Sequence, residues 1–460
     1  MKPTYSWFPA LVTAVLAGRA VLGCSEESRV VSSELGDGAA PPAPEPTDSA
    51  ATPDASAPAP VQKPPFDPAD EAVSCAQEPC AVELVAGEDH FCARMSDGKV
   101  RCWGANGAGV LGRAPSDEPP SVSTVEGLSG VTQLSTGGTT ACALASDGTV
   151  YCWGNNGDGL LGLQADAVVA DGDAHPSPTP VALPGPAVRV DLGPRVGCAI
   201  LATGQTWCWG YNGTAQLGRP TADTLGAPAF TPLAGLRAVR TAHGSYTSLA
   251  VTEDGDVVSW GAVGGPRANL SGRMASMELD PNPLPIGLEG VTRLAVSSST
   301  EVQAPYPQPV EVYGHACAVA GGQAYCWGRS LYAALGTGSP DIALKPQKTG
   351  VDSGRAWIQQ VAVGGETTCI RLTNGAVQCA GDNRFGTLGI GDDAGAKFSM
   401  AFRPATELDA YAVGIAVTRA AVCALLKTGQ VACWGANDAG QLGQGTKDDQ
   451  PHGAPVIVKF

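Results

Sequence analysis

Seven near-copies of one pattern dominate this chain. They are "CARMSDGKVRCWGANGAGVLG" from Cys92, "CALASDGTVYCWGNNGDGLLG" from Cys142, "CAILATGQTWCWGYNGTAQLG" from Cys198 and "LAVTEDGDVVSWGAVGG" from Leu249, followed by "CAVAGGQAYCWGRSLYAALG" from Cys317, "CIRLTNGAVQCAGDNRFGTLG" from Cys369 and "CALLKTGQVACWGANDAGQLG" from Cys423. The tryptophan of the Trp-Gly pair stands at 103, 153, 209, 260, 327 and 434, with Ala380 in its place once, so successive copies are 50, 56, 51, 67, 53 and 54 residues apart. In the second copy Cys142 and Leu144 fall on one side and Ala143 and Ala145 on the other, with the same alternation in Val150 and Cys152 against Tyr151 and Trp153. Period two on both sides of Ser-Asp-Gly predicts a β-hairpin. One more strand is expected upstream, in Gly130 to Gly138, and another downstream, in Pro178 to Gly185. Four short strands per repeat predict a propeller blade, and seven repeats an all-β, seven-bladed β-propeller.

The hairpin also places the cysteines. Residues opposed across a hairpin have a constant sum, so Cys142 and Cys152 centre on Asp147 and imply the three-residue loop Ser146-Asp147-Gly148, whose last position wants a left-handed residue. Glycine stands there in six copies: Gly98, Gly148, Gly204, Gly255, Gly375 and Gly429. In the fifth copy Cys317 and Cys326 are one residue closer, and the loop becomes Gly321-Gly322, as a two-residue turn with positive φ at both positions requires. Opposed Cα atoms lie within disulfide reach. We therefore expect the pairs Cys92–Cys102, Cys142–Cys152, Cys198–Cys208, Cys317–Cys326, Cys369–Cys379 and Cys423–Cys433. The fourth copy lacks both cysteines together, at Leu249 and Ser259. Of the 15 cysteines this leaves Cys24 and the couple Cys75 and Cys80, which are expected to bond to each other. Zinc would need Cys-x-x-Cys knuckles with histidine partners, and none is present, so no metal is expected.

Disulfides imply an oxidising compartment, and the N-terminus agrees. Lys2 precedes the apolar run Tyr5 to Gly18, which is short for a spanning helix and fits a signal peptide. It ends in "VLGC" (Val21 to Cys24), which resembles the lipobox of bacterial lipoproteins, although Arg19 and the place of Leu22 depart from that pattern. The resemblance implies cleavage before Cys24 and lipidation of its thiol; an ordinary secretory signal is the alternative. Residues 1–23 are thus expected to be a signal peptide and 24–72 a Pro- and Ala-rich tether too poor in apolar side chains to fold, with the propeller in 73–460. The formal charge of −16 argues against binding to nucleic acid or to an anionic membrane surface.

"SDGKVRCWGANGAGVLG", "SDGTVYCWGNNGDGLLG" and "TGQVACWGANDAGQLG" resemble the repeat of the regulator of chromosome condensation family, over roughly residues 80 to 460. His90 and His315 match the family's "G..H" position, where other copies carry Thr140, Thr247 or Thr367. The resemblance implies a seven-bladed propeller but not one activity. The family's founder binds chromatin and exchanges nucleotide on a small GTPase inside the nucleus, and another similar propeller is a secreted bacterial inhibitor of β-lactamases. The acidic, exported character of this chain makes the first role unexpected.

No catalytic cluster is legible. The five histidines are scattered, and His90 and His315 are expected to be structural. "NNGDGLLG" (Asn155 to Gly162) lacks the spaced acids of a calcium loop and is expected to form a turn. The Trp-Gly tryptophans are expected to pack between blades. Recognition is expected in the long inter-repeat loops 163–180, 262–286, 299–314 and 390–405. Tyr306, Tyr313, Phe398, Phe402 and Arg403 are the candidate binding residues there, the alternative being loops that fold back over blade edges. The function these readings favour is a non-catalytic lipoprotein, monomeric and without cofactor. It would be exported and lipid-anchored to the bacterial outer membrane or cell surface, would touch the membrane only through that anchor, and would bind a protein or glycan partner. An inhibitor of an extracellular enzyme and an enzyme acting on polymer in the central pocket are the alternatives. The ring is expected to close with His452 to Phe460 beside the first repeat, near Ala81 to Gly87.

Overall fold

A computed structural model describes residues 72–460, apart from 117–120, 164–169, 221–230, 234, 265–269, 274–277, 303–310, 340–341, 352, 355 and 392–394. The segment 1–71 with Cys24, and Tyr306, lie outside the described residues. Each repeat folds on itself into an antiparallel sheet whose strands follow chain order, except that in the fifth a short extra strand, Thr300–Val302, pairs off that path. The second blade is representative, with strands Val131–Gly137, Thr140–Ala145, Val150–Asn155 and Ala174–Pro180. Seven such sheets stand around one channel, which is lined by the first strand of every blade. These inner strands are Ala81–Ala86, Val131–Gly137, Ala187–Leu192, Ala238–His243, Val291–Val296, Ile358–Gly364 and Ala412–Val417. The outer strands Ala174–Pro180, Leu279–Pro285 and Phe398–Pro404 occupy stretches expected to be loops. Their prolines and half-exposed polar residues suit a rim strand, where a missing N–H costs no ladder bond.

The hairpins carry the expected register. Cys142 opposes Cys152 and Leu249 opposes Ser259. All six hairpin pairs are disulfide-bonded with Cα atoms 4.1 Å apart. Gly148 has φ +85°, and Gly321 and Gly322 have +55° and +73°. By loop-closure entropy each bridge is worth about 2–3 kcal/mol, an upper figure for so local a loop. The hairpin sulfurs are fully buried between blades, whereas Cys75, bonded to Cys80, is only half-buried. Mild reductant on the native protein is therefore expected to expose Cys75 and Cys80 to alkylation, and the other twelve bonded cysteines only on unfolding; mass spectrometry of the alkylated chain checks this. Early labelling of a hairpin cysteine would contradict it.

The core lies between blades. One cluster joins Val100, Val110, Leu111 and Val125 of the first blade to Leu134, Ala141 and Trp153 of the second. Each Trp-Gly tryptophan spans such a junction, its indole N–H donating to a loop carbonyl of the preceding blade. Trp153 donates to Val110, Trp209 to Leu160, Trp260 to Gln216, Trp327 to Leu270 and Trp434 to Thr387, all between 2.7 and 3.0 Å. Trp103 makes the same bond to Gln441 across the junction of blades seven and one, at 2.9 Å. Where Ala380 replaces tryptophan, Phe402 fills the space: a Cβ on Gly336 would meet the Phe402 ring, as one on Gly389 would meet the Trp434 indole.

The ring closes differently from the expectation. Asp448–Ile457 is the outer strand of the seventh blade, where Val456 opposes Cys433, and does not lie beside Ala81 to Gly87. Only the last residues cross, with Phe460 edge-on to Trp103 at 5.6 Å. Ala81–Ala86 instead packs on the seventh blade's inner strand, and the segment before it is stitched to the seventh hairpin: Ser74 N donates to Lys427 O, Ala76 N to Thr428 O and Ala81 N to Gly429 O. The last of these repeats the bond by which Ala187 N meets Gly148 O at an ordinary junction. The seam is thus made like any other junction, with the Cys75–Cys80 bridge beside it.

Candidate protein-binding face

Each inner strand turns into the second strand at one end of the channel, and the loop after each Trp-Gly leaves at that same end. An asparagine builds this loop. Asn106 Oδ1 accepts from Leu111 N, Asn212 from Leu217 N, Asn383 from Leu388 N and Asn437 from Leu442 N, at 2.9 to 3.3 Å. Asn156 does the same in "NNGDGLLG" and donates to Asp171, so that segment spends its polar groups on its own turn. Serine replaces the asparagine in the fifth blade; Ser330 Oγ accepts from Ala334 N and donates to Glu366. Burial raises the Glu366 carboxyl above its ordinary value, against the hydrogen bonds from Ser330 and Leu331.

The two residues after the anchor differ between blades. They are Gly107-Ala108, Gly157-Asp158, Gly213-Thr214 and Asp438-Ala439 in blades one, two, three and seven, but Leu331-Tyr332 and Arg384-Phe385 in blades five and six. Leu331 is 45% and Phe385 36% exposed. Arg384 lies over the Tyr332 ring at 4.3 Å and near Phe385 at 5.8 Å, held by both oxygens of Asp382, whose hydrogen bonds raise the arginine's pKa. Phe398 pairs with Asp382 at the start of the sixth outer strand and is 48% exposed, with Met400 two residues on. Half of the large exposed apolar residues in the described structure belong to these two blades. A guanidinium fixed among aromatic faces, beside free apolar side chains, is the composition of an interface centre.

The candidate residues from sequence divide. Phe398 belongs to this patch, and Arg403 is exposed farther down the same strand. Phe402 is a correction, since it is buried in the junction that lacks a tryptophan. Tyr313 is another: it is 8% exposed beneath the Arg329 guanidinium at 4.4 Å, because loop 299–314 is in part a ladder, with Thr300 opposite Tyr313. Leu331, Tyr332, Arg384 and Phe385 were not legible, although the contrast at the two post-anchor positions was in the sequence once the anchor is recognised.

The histidines hold structure. His90, His243 and His315 are buried, and burial lowers each to about 4, so they are neutral. His243 is 2.8 Å from Ser248 and 3.0 Å from Thr241, and His315 is 2.7 Å from Thr368 of the next blade. His175 and His452 are equivalent. Each lies 2.8 Å from an aspartate four residues earlier, Asp171 or Asp448, which also bonds the anchor Asn156 or Asn437. Among the described residues the one cluster of possible metal ligands is Cys75, Glu78 and Cys80, with both sulfurs already bonded to each other.

Comparison with known proteins agrees with this architecture. Models of the regulator of chromosome condensation (RCC1) repeat match residues 81–110, 131–160 and 358–387, and residues 147–200 and 321–370. The chain is 27% identical over 373 residues to the ultraviolet-B receptor UVR8 of Arabidopsis thaliana, covering 80% of this chain and 79% of that protein. It is 32% identical over 174 residues to the mitochondrial RCC1 domain-containing protein RUG3 of the same plant, covering 36% and 34%. Among solved structures it superposes on yeast RCC1 bound to Kap60 with TM-score 0.64 at 17% identity, over 88% of this chain and 90% of that one. Human WBSCR16 gives 0.63 at 20%, over 79% and 95%. At these identities the structural likeness is one of fold.

Proposed function

Because the chain is a seven-bladed propeller of regulator of chromosome condensation repeats, we propose that it is a binding scaffold without catalysis, which docks a protein through Leu331, Tyr332, Arg384, Phe385 and Phe398 on blades five and six. The supporting observation is the contrast after the loop anchor: small or acidic residues in blades one, two, three and seven, large apolar and aromatic ones with a fixed arginine in blades five and six. Yeast RCC1, a protein of this fold, has been solved bound to Kap60. In this reading the scaffold is exported and held at the bacterial surface by lipid on Cys24, the Pro-rich stretch 36–71 of the tether giving it a reach of roughly 100 Å at about 3.1 Å per residue.

Two measurements test it. The full chain expressed in a bacterial host should incorporate radiolabelled palmitate, and Cys24→Ser should abolish the incorporation; equal labelling of both would remove the anchor. For docking, the detergent-solubilised full chain is cross-linked in envelope extract. Arg384→Glu combined with Phe385→Ser should reduce its specific adducts at least tenfold, as loss of a hot-spot pair does. Val188→Ser, exposed on a different blade, should leave them unchanged. Adducts insensitive to the double variant would refute docking at this patch.

A further inference from the structure

The channel is lined away from that face by the inner strands of all seven blades. The third residue of the inner strands runs Glu83, Gln133, Arg189, Arg240, Arg293, Gln360 and Gly414 around the ring. Several of these clamp the next blade. Gln133 Oε1 accepts from Val190 N at 3.1 Å while its Nε2 donates to Val190 O at 2.8 Å, and Gln360 grips Ile415 in the same way at 3.1 and 2.9 Å. Glu83 accepts from Leu134 N at 3.1 Å. In the third blade the acceptor comes from two residues further on, where Asp191 takes Thr241 N at 2.9 Å. Every clamp supplies an acceptor to a backbone N–H. In blades four and five the clamp position holds arginine, and a guanidinium has no acceptor.

Charge follows the same division. Glu83 is matched by Arg94 at 2.8 Å, and Asp191 by both nitrogens of Arg189 at 2.6 and 2.8 Å. Among the described residues Arg240 has no such carboxylate of its own. Burial and then the neighbouring Arg189 lower its pKa to about 10, with Arg293 pressing the same way and Asp191 opposing. At one end the channel narrows where the inner strands touch: a Cβ on Gly137 would collide with the Gly193 carbonyl, and one on Gly193 with His243. Beyond this neck lies a cavity of about 420 Å³ lined by the clamp residues, with Arg189 and Arg240 half-exposed in its wall.

We propose that the sector of the channel formed by blades three to five binds an oxyanion, which supplies between Arg240 and the fifth blade the acceptor that Glu83 and Asp191 supply elsewhere. A small free anion and a single carboxylate offered by a partner protein share this chemistry. A polyanion does not fit, because the surface around the cup belongs to a chain of formal charge −16.

The test uses the full chain in chloride buffer, with inorganic phosphate, succinate and the peptide Gly-Gly-Asp as separate probes, read by calorimetry and by the melting midpoint. Binding of phosphate or succinate at millimolar or lower concentration identifies a free anion; binding of the peptide alone identifies a partner's carboxylate. Either should weaken at least tenfold in Arg240→Gln and less in Arg240→Lys. Without any probe Arg240→Gln should melt at or above the parent, since the glutamine removes a crowded charge and can clamp Leu294 as Gln133 clamps Val190. Saturating probe should then reverse that order. Absence of binding by all three probes, or equal binding by Arg240→Gln, overturns the proposal.

Discussion

Acidification from neutral pH toward about pH 4 is expected to lower the stability of the propeller steeply through its buried histidines. His90, His243 and His315 are held neutral, each lowered by burial to about 4, and the unfolded chain returns them to an ordinary value near 6.5. A group whose folded pKa is depressed below its unfolded value favours unfolding as the pH falls, because the unfolded chain takes up protons that the native one refuses. Stability from this source is therefore complete above about pH 6.5 and lost on the way down to about pH 4, by about 3 kcal/mol for each histidine once both limits are passed. Three histidines together reach on the order of the whole stability of a typical domain. The check is the urea midpoint followed from pH 7.5 to pH 4.5. The repeat supplies the control: Thr140 occupies the place of His90 and donates to the Asn155 carbonyl at 2.8 Å. His90→Thr with His315→Thr should therefore fold and show about one third of the acid sensitivity. A parent midpoint that stays level across the range would refute the account.

The second large effect is expected at the junction of blades five and six. Phe402→Ala removes the ring that stands in for a missing tryptophan and should cost about 3–5 kcal/mol. Ala380→Trp alone should also destabilise, by about 1–3 kcal/mol, since Phe402 already occupies the space. Combined, the two changes restore the tryptophan arrangement of the other junctions, with the Ala334 carbonyl placed as Thr387's is for Trp434. The double variant should then be more stable than Phe402→Ala, a coupling of more than 1 kcal/mol measured by a denaturation cycle. Simple additivity would show that Phe402 and Ala380 do not share a space.

What was legible in the sequence follows the range of the interactions. Hairpin register, loop length and cysteine pairing depend on parity across about ten residues, and the shift to Gly321-Gly322 in the fifth copy makes that parity readable. The Ala380 and Phe402 exchange joins residues in different strands through a third partner, Gly336, from another blade, so no local pattern announces it. Seam closure escaped for a related reason. The strand-like character of Pro455 to Ile457 was real, but its partner is Cys433 of its own blade, while closure falls to backbone groups of Ser74, Ala76 and Ala81 with no side-chain signature. The candidate face was hidden because its residues occupy the positions the repeat leaves free.

Every bonded cysteine in the described structure is joined to the next cysteine along the chain: Cys75 to Cys80, Cys92 to Cys102, and so on to Cys423 and Cys433. For a polypeptide threaded N-terminus first into an oxidising space, order of emergence and correct pairing then coincide. Each bridge can be sealed before the next thiol arrives to compete for it, within a hairpin that needs no other blade to form. Such a chain requires an oxidant but little shuffling of mispaired bonds.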